Sequence, residues 1–538
     1  MSRTALELPI SAERSRDVPL SGQIAGQLRS GISDGRLGAG ERLPASRVLA
    51  VSLGVSRTVV TAAYGQLYAE GWLEGRPGSG TFIAAGAPGQ AGPSRQAGWG
   101  SAGPASAQRP RRLAEPGNVA RGRPARPALL ADPSTAQLAQ PPEPAAWPYP
   151  AGPHDPAAGQ HNPAAGQHDP AASVIELRPG IPWAAGIDRA AWRRAWRQAG
   201  IVPPSAWPDP LGLPALRDAL AGHLRRSRAL HCAPGQILVT RGVTSGLSLL
   251  AAALLRPGDR VGIEEPGYPS ARAVFAAHGA QVVPCRADEH GLVTSDLPGG
   301  LRMVYTTPAH QYPLGGRLPV PRRQSLIGWA RATGALIIED DYDSEFRYDV
   351  APLPALFGLD PGVVVHLGTT AKTLTPAMGV GWLVAGGDLA GLVADARRDI
   401  SDRTSEAAQH AMLTLLRSGD LDRHVRRMRR EYARRRAEIV AALGDLPGPV
   451  RLLGDTAGLH VVLELPAGTA GQVAASAGRR GVAVTTMARY FAGQPSADGL
   501  VLGYGGASLS QVSRACQVLR QIVAELPAAS RPAVSPPG

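Results

Sequence analysis

Val363-Val364-Val365-His366-Leu367-Gly368-Thr369-Thr370-Ala371-Lys372 is a short apolar run that breaks into small polar residues and stops at an amine. Residues 363–367 have the length and β-branched content of a buried strand, so the polar residues stand at its carboxyl end. Lys372 is also the only lysine: of 56 basic residues, 55 are arginine. A lysine amine can lose its proton and condense with an aldehyde, whereas a guanidinium stays charged and does neither. Composition alone does not choose between that chemistry and a chance survivor of an arginine-rich composition.

The neighbouring runs repeat the pattern. Residues 237–240 lead into Arg241-Gly242-Val243-Thr244-Ser245-Gly246 and then an apolar helix, which puts bare backbone N–H groups at a helix start, where an anion can sit. Residues 261–264 lead into Glu265-Pro266-Gly267-Tyr268, and 303–306 into Thr307-Pro308-Ala309-His310-Gln311-Tyr312-Pro313. Residues 336–339 lead into Asp340-Asp341-Tyr342-Asp343. Strand-like runs alternating with helical patterns predict a doubly wound α/β fold, whose ligand crevice lies at the carboxyl ends of its strands. Five strand ends would then converge on a phosphate cradle, an aromatic face, a carboxylate, a phenol and an amine, the set that pyridoxal phosphate needs. Taken singly, a carboxylate at a strand end is often a helix cap, and a tyrosine there is often packing; the argument rests on their convergence.

Upstream, Leu20, Ile24, Leu28 and Ile32 recur every four residues and predict one apolar helix face, ended by Gly35, Gly38 and Gly40. A second short helix fits residues 46–53 with Ser46 as N-cap. Gly54 supplies a turn, and a third helix opens at Ser56 with Val55 and Val60 in staple positions. Val60, Ala63, Tyr64 and Leu67 face inward at helical spacing, leaving Arg57, Thr58 and Thr61 outward near the end that enters the major groove in helix-turn-helix proteins. Residues 74–83 then read as two short strands around a glycine-rich tip, a wing.

The two regions are separated by a stretch rich in Ala, Gly, Pro, Gln and Ser. It contains a seven-residue repeat starting at His154, His161 and His168, which reads as slippage in a spacer rather than a metal tract. The expected layout is a reader over 12–84, a flexible linker over 85–173, an α/β effector domain over 174–528 with a smaller C-terminal α+β part, and a tail over 529–538. The formal charge of +13 suits a polyanionic partner without locating it. Residues 1–84 hold nine arginines against seven acids, and most of the surplus lies beyond residue 172. Arg423, Arg426, Arg427, Arg429 and Arg430 read as a solvated helix face. Cys232, Cys285 and Cys516 are too few and too scattered for a disulfide framework or a metal cluster, so no metal is expected. With no leader-like apolar stretch and no long apolar run, a cytoplasmic protein without membrane partners is expected.

The string Arg42-Leu43-Pro44-Ala45-Ser46-Arg47, with Val55-Ser56-Arg57-Thr58-Val59 and Gly78-Ser79-Gly80-Thr81, resembles the winged helix-turn-helix of GntR-type regulators. The resemblance implies contacts to double-stranded DNA from Arg42, Ser46, Arg47, Ser56, Arg57, Thr58 and Thr61, and from a wing carrying Arg76, Gly78 and Gly80. Arg57 is the candidate for base reading. The later strand ends resemble fold-type I aminotransferases of class I/II, and Asp209-Pro210-Leu211-Gly212 with residues 338–348 is similar to regulators of the MocR/GabR type. That resemblance implies a homodimer with pyridoxal phosphate as cofactor and a Schiff base at Lys372. By the same resemblance Asp340 would pair with the ring nitrogen and Tyr342 with the ring hydroxyl. Tyr268 would lie against the ring, and Thr244 and Thr369 would hold the phosphate.

Three positions depart from the family pattern. Gly379 stands where an arginine usually clamps the phosphate, a loss of about 1.5–3 kcal/mol, or roughly 10- to 150-fold in affinity. The stretch 500–505 lacks the arginine that grips a substrate carboxylate, with Arg241 or Arg489 as conceivable replacements. Tyr312 stands where active aminotransferases have asparagine. These departures argue against ordinary turnover and favour a sensor of a vitamin B6 vitamer, or of an amino compound, over a working aminotransferase. A sensor that no longer binds the cofactor also stays open.

Overall fold

The computed structural model describes residues 10–13, 19–33, 36–38, 40–69, 72–76, 80–84, 174–348, 354–446 and 449–526. The described residues all fall within one compact unit. The linker, its histidine repeat, Gly35 and the C-terminal tail lie outside the described residues.

The N-terminal helices are α1 (Leu20–Ser33), α2 (Ser46–Ser52) and α3 (Arg57–Ala69), followed by strands β1 (Leu73–Arg76) and β2 (Gly80–Ile83). Ile24, Leu28, Ile32, Val60, Ala63 and Leu67 are wholly buried, as the four-residue and helical spacings require. They form one cluster with Leu49, Trp72 and Ile83. The wing is an antiparallel pair in register Leu73 to Ile83, extended by a bridge between Arg42 and Phe82. Ser46 is not the cap of α2: Ala45 is, and Ser46 is the first helical residue with no side-chain capping bond. The Tyr64 hydroxyl donates to the Pro44 carbonyl at 2.7 Å, fixing the chain just ahead of that start. Ser56 does cap α3, its Oγ accepting from the Val59 N–H at 3.4 Å.

The remainder continues with β3 (Ile175–Glu176), α4 (Arg189–Ile201), α5 (Pro214–Arg228), β4 (Ile237–Thr240), α6 (Val243–Leu254), β5 (Arg260–Glu265) and α7 (Pro269–Ala277). After these come β6 (Gln281–Asp288), β7 (Gly291–Leu292), β8 (Met303–Thr306), α8 (Val320–Thr333), β9 (Leu336–Asp341), β10 (Val364–Thr369) and β11 (Gly381–Val384). The last part comprises α9 (Gly387–Asp399), α10 (Glu406–Arg417), α11 (Asp420–Leu443), β12 (Arg451–Leu453), β13 (His460–Glu464) and α12 (Ala470–Arg479), then β14 (Val482–Ala483), β15 (Thr485–Thr486), β16 (Gly499–Gly503) and α13 (Leu509–Ala524).

Eight strands form a mixed sheet in the order β4-β11-β10-β9-β8-β5-β6-β7. The five from β10 to β6 run parallel, whereas β11 is antiparallel to both β10 and β4. β4, β8, β9 and β10 are buried almost throughout, because both faces of the sheet are covered by separate apolar clusters. A second, antiparallel sheet, β12-β13-β16-β15, packs with α11, α12 and α13 into a smaller α+β part. On α11, Arg423, Arg426, Arg427 and Arg430 are exposed while His424 and Met428 turn inward, the solvated face expected of that run. Among the described residues, no helix is long and apolar enough to cross a membrane.

Candidate functional site

The carboxyl ends of the parallel strands open onto a cavity of about 240 Å³. Lys372, Asp340, Tyr342, Tyr268, Thr244 and Thr369 all line it. The six residues singled out for the cofactor, drawn from four strand ends, therefore share one space. Asp340 and Thr369 differ slightly from expectation, being the penultimate residue of β9 and the last of β10 rather than lying beyond them.

Lys372 follows β10 and donates from Nζ to the Gly180 carbonyl at 2.6 Å. Burial pushes its amine below the ordinary value, against the pull of Asp343 and Asp340. The approach is close enough that a Cβ on Gly180 would lie 2.9 Å from Nζ, and Gly180 has φ +88°. Asp340 is buried and accepts the Tyr305 hydroxyl on Oδ2 at 2.5 Å. Its Oδ1 is buried with no partner. Burial drives this carboxyl up to about 7.

On the anion side, β4 runs into α6 through Gly242, whose φ of +138° aims the first turn of the helix at the cavity. Thr244 lies on that turn, and Thr369 Oγ1 accepts from the Ala371 N–H at 3.1 Å. Gly379 caps the turn of Pro376–Met378 at φ +60°, a left-handed conformation that an arginine would adopt only under strain. Arg241 lines the cavity and pairs with Asp402 at 2.8 Å, while Arg489 is exposed beside Tyr490 and is not part of the lining. Residues 500–503 are buried strand, with Val501 facing Val462 and Thr485.

The aromatic wall exceeds what the sequence suggested. Tyr312 sits edge-on to Tyr268, Tyr342, His460 and Tyr490 at centroid distances of 6.0, 5.7, 5.1 and 5.2 Å. Its loop is braced by buried Glu264, which accepts from Thr306 Oγ1 at 2.5 Å, Thr307 Oγ1 at 2.6 Å and Gln311 Nε2 at 3.2 Å. Burial nonetheless raises the Glu264 carboxyl above its usual range. Behind Tyr342 lie His310, Asp343 and His460, none of them singled out from the sequence. Their side chains offer potential ligand atoms within 4.8 Å of one another. Much of that donor capacity is already engaged: His460 Nε2 faces the Pro313 carbonyl at 2.9 Å, and His310 Nδ1 faces Asp343 and Tyr342.

In the reader, Arg42, Arg47, Ser56, Arg57, Thr58 and Thr61 are exposed and Ser46 is half-buried. Gly80 takes φ +112°, with the Arg42 guanidinium 3.0 Å from where its Cβ would stand. Arg76 ends β1, and Gly78 lies outside the described residues.

Residues 20–83 match the family of bacterial regulatory proteins called gntR, and residues 191–496 match aminotransferase class I and II. The two matches define a DNA-binding transcriptional regulator that carries an aminotransferase-like domain. The chain is 34% identical over 499 residues to the HTH-type pyridoxine biosynthesis transcriptional regulator PdxR of Corynebacterium glutamicum, covering 93% of this chain and 95% of that protein. It is 30% identical over 501 residues to the probable rhizopine catabolism regulatory protein MocR of Rhizobium meliloti, covering 92% of each. Among solved structures, an archaeal alanine:glyoxylate aminotransferase superimposes with a TM-score of 0.62 at 25% identity, over 66% of this chain and 92% of that one. The chain belongs to the MocR-type regulators, in which a GntR winged helix-turn-helix is joined to a fold-type I aminotransferase fold.

Proposed function

We propose that the aminotransferase-like domain binds pyridoxal phosphate through Lys372 and uses it to sense a small molecule, a vitamin B6 vitamer in preference to an amino acid. The observation that carries this reading is the buried, unpartnered Oδ1 of Asp340 in the same cavity as the desolvated amine of Lys372. A protonated pyridine nitrogen would satisfy that oxygen, and an amine pushed toward its neutral form is suited to an aldehyde. The α6 N-terminus, with Thr244 and Thr369, would receive the phosphate, Tyr342 the ring hydroxyl and Tyr268 a ring face. When bound, the cofactor supplies an aldehyde that can carry or exchange an amine.

The vitamer is favoured because the cavity is small, at about 240 Å³. Ligand pockets usually exceed about 300 Å³. Apart from Lys372 and His460, the basic side chain that the lining offers a carboxylate is Arg241, already paired with Asp402. The reader over 12–84, with its Arg42, Ser46, Arg47, Ser56, Arg57, Thr58 and Thr61 surface and its wing, would bind an operator of two half-sites as part of a homodimer. The linker over 85–173 would couple it to the sensor over 174–528. The test is to add pyridoxal phosphate, look for an absorbance band of the Schiff base, trap it with borohydride and map the label. A band with no amino-acid turnover supports the sensor. Turnover of about 1 s⁻¹ or more would instead make it an enzyme, and no band would leave the fold without its cofactor.

A further inference from the structure

We propose that His310 and Asp343 are a positioning pair that keeps the Tyr342 hydroxyl proton off the His310 ring, leaving it on the His310 carbonyl or available to an acceptor in the cavity. The inference rests on the pyridoxal phosphate reading of that cavity for its consequence, but on the structure alone for its geometry. Tyr342 Oη lies 2.9 Å from His310 Nδ1 and 3.0 Å from the His310 carbonyl oxygen. The same Nδ1 lies 3.0 Å from Asp343 Oδ2. Both partners are almost wholly buried, His310 at 2% and Asp343 at 1% exposure.

Only one ring tautomer satisfies these neighbours while Asp343 remains a carboxylate. With its proton on Nδ1, His310 donates to Asp343, and Nε2, which has no partner, is left as a bare acceptor rather than a stranded N–H. Nδ1 then cannot accept the phenol proton. Tyr342 can place that proton only on the His310 carbonyl or on an acceptor in the cavity that Tyr342 lines. With the proton on Nε2 instead, Nδ1 would take the phenol proton away from the cavity. The ring has little freedom to rearrange: a Cβ on Gly458 would stand 2.0 Å from His310 Cε1 and 2.7 Å from Asp343 Oδ2, and the His460 ring is 4.9 Å away.

The pair touches neither face of the cavity directly, so its role is to hold Tyr342 ready for an oxyanion such as an ionised ring hydroxyl. The other charged or titratable groups facing Tyr342 are Asp340, Glu264 and Tyr312, with Lys372, Tyr268, Tyr305, Arg241 and His460 around the same cavity. They are common to all the variants below and cancel in comparisons.

Two measurements on the full-length protein test this. In the cofactor-free protein, nitrogen NMR of isotope-labelled histidine should show His310, identified by the signal lost in His310→Asn, with its proton on Nδ1; a proton on Nε2 overturns the proposal. In protein loaded with pyridoxal phosphate, the pH midpoint of the bound chromophore is followed by absorbance. Tyr342→Phe should raise it by about one unit, a tenfold change worth about one hydrogen bond to a charged group. His310→Leu should raise it in the same direction, His310→Asn, whose amide replaces Nδ1–H, should leave it near wild type, and Tyr342→Phe with His310→Leu should equal Tyr342→Phe alone. Additive shifts, or an unmoved midpoint in a natively melting His310→Leu, refute the pair. Should His310→Leu not fold, a His310→Asn midpoint displaced as far as that of Tyr342→Phe refutes it equally. A wild-type protein that forms no chromophore defeats the cofactor reading, while the tautomer still decides the hydrogen-bond arrangement.

Discussion

Replacing Asp340 with asparagine should stabilise the cofactor-free protein, and increasingly so as the pH rises. Burial lifts the Asp340 carboxyl from 3.8 to about 7, outweighing the Tyr305 hydroxyl that favours ionisation. Between those values the folded chain holds a proton that the unfolded chain has released, so the stability contributed by this group falls as pH climbs from about 4 to about 7. At about 1.4 kcal/mol per unit over about three units, ionising Asp340 costs the cofactor-free fold on the order of 4 kcal/mol above neutrality. Asparagine keeps an acceptor for Tyr305 but leaves a buried amide donor in place of Oδ1, which returns about 1–3 kcal/mol of that gain. A net advantage of about 1–3 kcal/mol near pH 8, or a few degrees in melting temperature, should shrink or reverse near pH 5. Glu264 and Glu345, also raised by burial, are present in both proteins and drop out of the difference. Thermal melts of both proteins from about pH 5 to pH 8 read the effect directly. Pyridoxal phosphate should then invert the order near pH 8, because a protonated ring nitrogen gives the carboxylate its partner. A variant whose advantage does not grow with pH would refute the picture of Asp340 as a buried carboxyl waiting for a cation.

Lys372→Ala should lose the chromophore and all borohydride-trapped label, and peptide mapping of the wild type should find the label at Lys372, the only lysine. Arg57→Ala should relax the sequence preference of operator binding at the positions it reads by about 1–3 kcal/mol, measured as the ratio of specific to non-specific dissociation constants at fixed salt; an unchanged ratio would place the reading elsewhere on α3. Leu28→Ala removes a wholly buried side chain from the reader's cluster and should cost about 2–5 kcal/mol of that module's stability, with DNA binding lost and the cofactor absorbance retained.

The sequence went far toward this architecture because its signals there are local. β4, β8, β9 and β10 are short runs that begin apolar and, His366 aside, turn polar only toward their carboxyl ends, and the helix faces of the reader are periodic enough to place Leu28 and Leu67 inside without knowing what covers them. The cap of α2 was misplaced by one residue, since the start of a short helix depends on how the preceding chain is held, here by the Tyr64 hydroxyl on Pro44. β11 was not anticipated, because inserting an antiparallel strand between β4 and β10 is a pairing between distant segments that no local pattern records.

By itself the sequence determined which residues could do chemistry, an amine, a carboxylate and phenols at the carboxyl ends of strands, because residue type and strand-end position are written in short runs. The tertiary structure alone decided the environment those groups feel. Gly180, 192 residues from Lys372, receives its amine; His310, 33 residues from Asp343, orients Tyr342; and Asp340 keeps one oxygen buried and bare. Desolvation and hydrogen-bond partners act through space, so proton affinities and orientations in the site follow from packing that brings remote segments together.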